Sequence, residues 1–268
     1  MIGSIVSIWR YPVKSMQGEE LNAAAMTDRG LLGDRAFALV DAADGKVASA
    51  KNPRKWPNLF EFRARYRDLP HAGKPLPAVR FTLPDGVEVD SDAPDINQIL
   101  SRTVGRPATL ESRPPPAPAL EEYWPDLDGL PHRDAVTDEK MPGGAFFDLA
   151  AVHVLTTATL ERLRELEPAA RFEVRRFRPN IVIAPATGGC DFLENAWLGR
   201  TIGLGEAARL EITGACPRCV MTTLAQYDLP RDPAVLRSAV QHNQGNVGIY
   251  ARVTASGIIR RGDPVRLE

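Results

Sequence analysis

At 268 residues, with 44% hydrophobic and 25% charged residues and a formal net charge of −1, the chain has the composition of a soluble protein of one large or two modest domains. That balance gives no reason to expect a nucleic acid or an anionic membrane as partner. Its three cysteines, two of them three positions apart, make no disulfide framework, so a reducing cytoplasm is the expected setting.

Residues 1–10 alternate as a strand does, without the basic leader and apolar core of a signal peptide. No apolar run approaches the ~20 residues of a bilayer span. Ile2, Ile5, Val6, Ile8 and Trp9 make this first strand apolar on both faces and so buried. Pro12 ends it and leaves Lys14 and Ser15 side by side on a turn, suited either to an anion or simply to water. Residues 30–35 form a glycine-punctuated turn into a strand over 36–41, with Arg35 at its mouth, placed to clamp an anion or to pair with Asp34. Asp44-Gly45 predicts a hairpin returning through 46–50, and Asp85-Gly86 predicts a second one. A short helix opens at Asp95 with Ile96, Ile99 and Leu100 on one face, and residues 109–111 supply a closing strand. This first part reads as a strand-and-hairpin domain, barrel-like if closed.

Ser112-Arg113-Pro114-Pro115-Pro116-Ala117-Pro118-Ala119 is the sharpest change of composition. A polyproline-like spacer there divides the chain into domains 1–115 and 116–268. The stretch up to about Phe147 reads as surface loop. Residues 147–157 then predict a buried strand, and Thr157 an N-cap for a helix carrying Leu160, Leu163 and Leu166. His153 inside that strand reads as a satisfied core residue, not a ligand. Arg175 and Arg176 read as a solvated patch, whereas Arg178-Pro179-Asn180 stands where a loop enters the strand 181–184, a usual place for binding groups. Asp232-Pro233 starts a further helix, and residues 247–254 and 258–267 read as a hairpin pair.

A strand over 207–212 delivers Cys216-Pro217-Arg218-Cys219. A closed zinc site would need a second ligand pair that the scattered histidines do not supply. A redox dithiol belongs at a helix start, but Val220–Ala225 is β-branched and apolar and predicts a strand. Two uses remain: one thiolate beside Arg218, whose charge favours S⁻ and an anionic ligand together, or two buried cysteines acting as small hydrophobes.

Lys14, Ser15, Arg35, Arg178, Asn180, Arg218 and Cys219 all fall at loop–strand junctions, and most are cationic. Such a pocket calls for a large anionic ligand that also accepts a sulfur donor. Molybdenum carried by a pterin dithiolene meets both demands, although simpler phosphate ligands would satisfy most of these residues. Six stretches carry a resemblance: Tyr11-Pro12-Val13-Lys14-Ser15; Asp34-Arg35; Asp148 with the run Leu155–Leu160; Phe177–Ile183; Cys216–Thr223; and Gly262-Asp263-Pro264-Val265. In that order the chain resembles the MOSC-domain proteins, in the subgroup with an N-terminal β-barrel that contains the mitochondrial amidoxime-reducing component and its bacterial relatives.

The resemblance implies an α+β, mostly β chain: an N-terminal β-barrel-like domain, then a MOSC β-barrel domain with short helices. It implies a molybdenum cofactor, molybdopterin in the non-dinucleotide form, with Cys219 as metal ligand and catalytic residue. Lys14, Ser15, Arg35, Arg178 and Asn180 would hold the pterin and its phosphate, with Leu149, Ala150 and Arg218 contributing from nearby loops. Asp148 matches an acidic residue beside that site, in a catalytic or a structural role. The implied activity is reduction of small N-hydroxylated substrates, amidoximes or hydroxylamines. The cysteines are too few for an iron–sulfur cluster, so the electrons would come from a separate donor protein, a flavin or iron–sulfur reductase. No membrane anchor is expected. Pyridoxal phosphate is a second ligand that the resemblance admits, and a cofactor or sulfur carrier with a persulfide on Cys219 is the rival function.

Overall fold

The computed structural model describes residues 1–144, 146–189 and 191–268. Seven strands close into a barrel: β1 (Gly3–Arg10), β2 (Val152–Thr156), β3 (Ile181–Pro185), β4 (Thr201–Leu204), β5 (Ala208–Pro217), β6 (Asn246–Ala255) and β7 (Pro264–Leu267). Their order is β3-β2-β6-β5-β4-β7-β1, and β1 returns to β3 to close the ring. Every pair is antiparallel except β2–β3. A parallel pair needs a crossover, and that crossover carries two of the four helices found among the described residues: α1 (Ile96–Val104), α2 (Thr157–Leu166), α3 (Val174–Phe177) and α4 (Ala234–Asn243). α2 and α3 fill the crossover. The N-cap of α2 is Thr156, one residue earlier than expected, and its hydroxyl accepts from Thr159 N at 3.1 Å.

The barrel interior is β-branched and aliphatic, with Ile5, Ile8, Val154, Ile181, Ile183, Leu210, Ile212 and Ile249 all buried. These residue types fit a pleated, closed surface. β1 belongs to the first part of the chain, yet it closes the barrel built by the second, so the two parts share a sheet.

A second core gathers Val13, Met16, Trp56, Phe62, Phe81 and Leu100 under α1. Around it lie the pair Ala38–Asp41 with Ala108–Glu111 and a three-stranded sheet of Arg63–Tyr66, Val79–Thr82 and Glu88–Asp90. The expected turn at Asp85-Gly86 joins two of those strands. The expected hairpin at Asp44-Gly45 does not form a ladder: residues 46–50 meet the strand only through a Val40–Val47 bridge. Instead Ala50 N donates to Ser15 Oγ at 3.0 Å and Lys46 reaches Glu121 and Asp138, which draws the segment across to other elements.

Two further expectations are corrected. Residues 116–147 are not plain loop, because Ala119–Trp124 and Ala135–Lys140 pair as an antiparallel hairpin, its charged side chains having masked the alternation. Residues 247–254 and 258–267 do not pair with each other: Gly257–Arg260 pairs with Ala23–Thr27, and β7 lies between β4 and β1. No helix among the described residues is long and apolar enough to cross a membrane.

Barrel closure depends on close backbone approach at Gly3, where an added Cβ would stand 2.3 Å from Ala184 O. Gly3→Ala is expected to lower stability by about 1–3 kcal/mol through overpacking, measured as a shift of the urea unfolding midpoint with the slope unchanged.

Candidate functional site

The residues picked out by sequence converge on one cleft of about 350 Å³. Lys14, Ser15 and Arg35 enter it from the first part of the chain. Asp148, Leu149 and Ala150 come from the segment before β2, Arg178 and Asn180 from the turn before β3, and Arg218 and Cys219 from the end of β5. Three of them, Ser15 (φ 62°), Arg35 (φ 46°) and Arg178 (φ 54°), hold left-handed backbone conformations. Non-glycine residues adopt these only where the surroundings impose them, commonly at functional sites.

What imposes them is a buried polar bolt. Asp34, fully buried in its side chain, accepts from Tyr11 N at 2.7 Å and from Asn180 Nδ2 at 3.0 Å, and it pairs with Arg35. Asn180 also donates to Trp9 O (3.2 Å) and accepts from His153 N (3.1 Å), so one side chain ties β1, β2 and β3 at the rim of the barrel. The guanidinium groups of Arg35 and Arg178 stand over the Tyr11 ring, 4.4 and 4.2 Å from its centroid. Burial pushes its phenol up to about 12, against the pull of Arg178 and Arg35.

The cations are held by a mixture of carboxylates and neutral acceptors. Lys14 donates to Phe146 O at 3.0 Å and is ion-paired with Asp148; burial lowers its pKa, with Asp148 opposing. Arg178 donates to Met16 O at 2.7 Å, and burial, reinforced by Arg35, lowers it to about 10. Burial would raise Asp148, but Lys14 and Lys51 outweigh it and hold the carboxylate ionised. Arg218 donates to Phe177 O (3.0 Å) and Cys216 Sγ (2.7 Å), while its buried Nε has no partner. Arg178 and Arg218 reach no carboxylate among the described residues. The cleft therefore keeps uncompensated positive charge and one unused buried donor.

Cys219 sits half-buried at the cleft, packed against the second core. The partner of Arg218 is corrected here. Arg218 turns its guanidinium to Cys216 instead, and burial, with Glu122 nearby, pushes the Cys219 thiol up to about 11 despite Lys51 and Arg218. The segment after it is corrected too: Val220–Thr223 is a 3-10 turn, not a strand, with its hydroxyls bonded to Cys219 O and Val220 O. Arg176, read from sequence as solvated, is fully buried. It donates to Arg171 O (2.8 Å), Thr222 O (3.1 Å), Leu224 O (3.3 Å) and Pro230 O (2.8 Å), and so clamps the turn that follows Cys219.

The MOSC domain family matches residues 143–266, and the MOSC N-terminal beta barrel domain matches residues 2–102. The chain is a MOSC-domain protein. It is 27% identical to bovine mitochondrial amidoxime reducing component 2 over 306 residues, covering 98% of this chain and 83% of that one. It is 28% identical to human mitochondrial amidoxime-reducing component 1 over 240 residues, 83% of this chain and 66% of that one. Among solved structures, the YuaD protein of Bacillus subtilis superposes with a TM-score of 0.50 at 13% identity, covering 100% of this chain and 96% of that one, a likeness of fold.

In this MOSC protein several cleft residues carried no sequence signal. Lys51 bonds Glu122 at 2.8 Å and lies 3.9 Å from Asp148. Burial would lower it, but Asp148, Cys219 and Glu122 raise it. Neither Lys51 nor Glu122 stands in a motif, and only the hairpin over 119–140 brings them together. His153, set aside as a core residue, is indeed buried, with Nε2 3.1 Å from Val247 O, but its ring also lines the cleft. Burial, with Arg218 adding to it, lowers its pKa to about 3.

His153 therefore folds neutral and is protonated in the unfolded chain below about pH 6.5. The unfolded state binds the extra proton, so this contribution is present above pH 6.5 and is lost as pH falls toward 3. Between pH 7 and 4.5 the wild type is expected to lose about 2–3 kcal/mol more than His153→Gln, compared by urea unfolding at both pH values. Arg176→Met, which leaves several buried carbonyls unsatisfied, is expected to cost about 3 kcal/mol in the same assay at pH 7.

Proposed function

We propose that this protein holds a molybdenum cofactor of the molybdopterin type in the cleft and reduces N-hydroxylated compounds, amidoximes or hydroxylamines, with electrons from a separate flavin or iron–sulfur donor protein. The observation that carries the reading is the donor set: clustered buried cations, two without carboxylate partners, around a single accessible sulfur. The residues fit the group on three counts. Arg178, Arg218 and Lys14 suit a phosphate, and the orphaned Nε of Arg218 is a donor awaiting an acceptor. No group of three His, Cys, Asp or Glu among the described residues could bind a bare metal, so a metal here would arrive on its own organic carrier and gain one protein sulfur.

When bound, the cofactor supplies two-electron redox chemistry. The net reaction breaks the N–O bond: an N-hydroxy compound, two electrons and two protons give the amine or amidine and water. The chain's own residues bind and orient. Lys14, Ser15, Arg35, Arg178 and Asn180 grip the pterin and phosphate, with Leu149, Ala150 and Arg218 alongside. Asp148 stays ionised between Lys14 and Lys51 and fixes both ammonium groups at the cleft floor. The Cys219 proton would leave on metal binding, as ligand thiols require.

The names of the relatives, amidoxime reducing components, support the reaction class. The persulfide rival needs a free nucleophilic thiolate, and burial, which pushes the Cys219 thiol up to about 11, weighs against it. Lys14, tied to Asp148 and to Phe146 O, is not free to form an imine, which weighs against pyridoxal phosphate.

Purified from a host that makes the cofactor, the protein is expected to contain molybdenum and pterin and to reduce benzamidoxime with a chemical electron donor. Cys219→Ala should abolish turnover. Arg178→Ala should weaken cofactor retention by about 10–100-fold, the worth of a charged hydrogen bond, read by elemental analysis after dialysis. A folded wild type without molybdenum would overturn the reading.

A further inference from the structure

Along one strand the cleft lining passes from a buried carboxylate to a half-buried aromatic ring. In Ala119–Trp124, residues 120, 122 and 124 share a face, each about 6.7 Å beyond the last, and all three line the cleft. Leu120 is 1% exposed and Glu122 5%, while Trp124 is half-buried. Glu122 marks the floor, because it bonds Lys51, which lies 3.9 Å from Asp148. Trp124 is one step nearer the mouth.

Its ring is held in place. Trp124 Nε1 donates to Thr137 Oγ1 at 2.8 Å, and His132 packs edge-on 5.2 Å away. With its one polar atom satisfied, the indole presents only apolar surface to the cleft. Leu130 extends that wall from the hairpin tip. The tip reaches α4, where a Cβ on Gly129 would stand 2.7 Å from Val240 Cγ1, so hairpin and helix together bound the mouth. Leu149, also lining the cleft, leaves 59% of its surface exposed. An exposed leucine at the rim of a cleft that an immobilised aromatic ring also lines is surface for a ligand to cover.

The hairpin is also anchored from behind. Glu121, on its opposite face, pairs with Lys46 (3.1 Å) and Lys55 (3.2 Å). The wall is thus a fixed surface with a defined spacing above the floor.

We propose that the hairpin over residues 119–140 is the substrate-selecting wall of the cleft, with Trp124 as its principal contact, and that it selects N-hydroxylated compounds whose N–OH group is borne by a flat apolar body. The inference rests on the reductase reading and adds to it which members of that class are taken. The N–OH head points into the cleft, toward the cofactor held there, while the body lies on the indole, as aromatic rings pack.

The test compares two substrates of one chemistry, benzamidoxime with a ring and hydroxylamine with none, in the cofactor-loaded wild type, Trp124→Ala and Trp124→Phe. Trp124→Ala is expected to raise KM for benzamidoxime about tenfold, and its loss of kcat/KM should exceed that for hydroxylamine at least about fivefold. Trp124→Phe should recover most of the difference. Benzamidoxime binding to the oxidised proteins, measured by calorimetry, should weaken in parallel in Trp124→Ala. Equal losses for both substrates, or no weakening of binding, would overturn the inference. A wild type that binds benzamidoxime in a Trp124-dependent way but reduces neither substrate would leave the wall standing and remove the reductase reading. A wild type that does not bind benzamidoxime would remove the wall.

Discussion

One buried carboxylate organises the site. Asp34 takes the Tyr11 amide, the Asn180 amide and the Arg35 guanidinium, and each contact fixes a different part of the cleft. The Tyr11 contact sets the direction in which the chain leaves β1, and so where Lys14 and Ser15 stand. Asn180 holds the entry to β3, and Arg35 is held over Tyr11. A buried charge is tolerated only when hydrogen bonds and an opposite charge surround it, so these three partners are the condition for Asp34 to be buried at all. Because they come from separate segments, the same condition fixes cleft-lining residues from both parts of the chain in one geometry.

Like charges resist being gathered, and the fold meets that cost with backbone. Arg178 donates to Met16 O and Arg218 to Phe177 O, carbonyl dipoles that hold a cation without neutralising it, while Lys14, Arg35 and Lys51 are ion-paired with Asp148, Asp34 and Glu122. Had each cation met a carboxylate, the cleft would be stable and of no use to an anion. The left-handed conformations at Ser15, Arg35 and Arg178 are the backbone counterpart, strain of about 1 kcal/mol or more each that the surrounding bonds sustain.

What could be read from sequence follows from this arrangement. The residues facing the cleft from tight turns were legible, because Lys14-Ser15, Asp34-Arg35 and Arg178-Pro179-Asn180 each combine a strand end with a charged or polar pair. The second-layer partners were not. Arg176 stands beside Arg175 in sequence, yet Arg175 is half-buried and paired with Glu173 and Asp228, and only the carbonyls of a turn some fifty residues away account for the full burial of Arg176. Lys51 and Glu122 are unremarkable surface types brought together by a hairpin whose alternation is hidden by charge. The run after Cys219 was read as a strand from its β-branched residues, but Thr222 and Thr223 bond back to carbonyls three positions earlier, a local competitor that β-propensity ignores.

The two cysteines divide labour in a way their spacing conceals. Arg218 lies between them in sequence, and in space it gives its hydrogen bond to Cys216, which is fully buried. Cys216 thereby holds Arg218 against the barrel and keeps its charge at the cleft without placing it on Cys219. Had the guanidinium paired with Cys219, a thiolate would form early and the cation would be spent on it. With Cys216 as the anchor, Cys219 remains the one cysteine of the pair that lines the cleft, and Arg218 keeps a buried donor without a partner there. A single Cys-x-x-Cys thus gives one sulfur to holding the intervening arginine and leaves the other at the cleft.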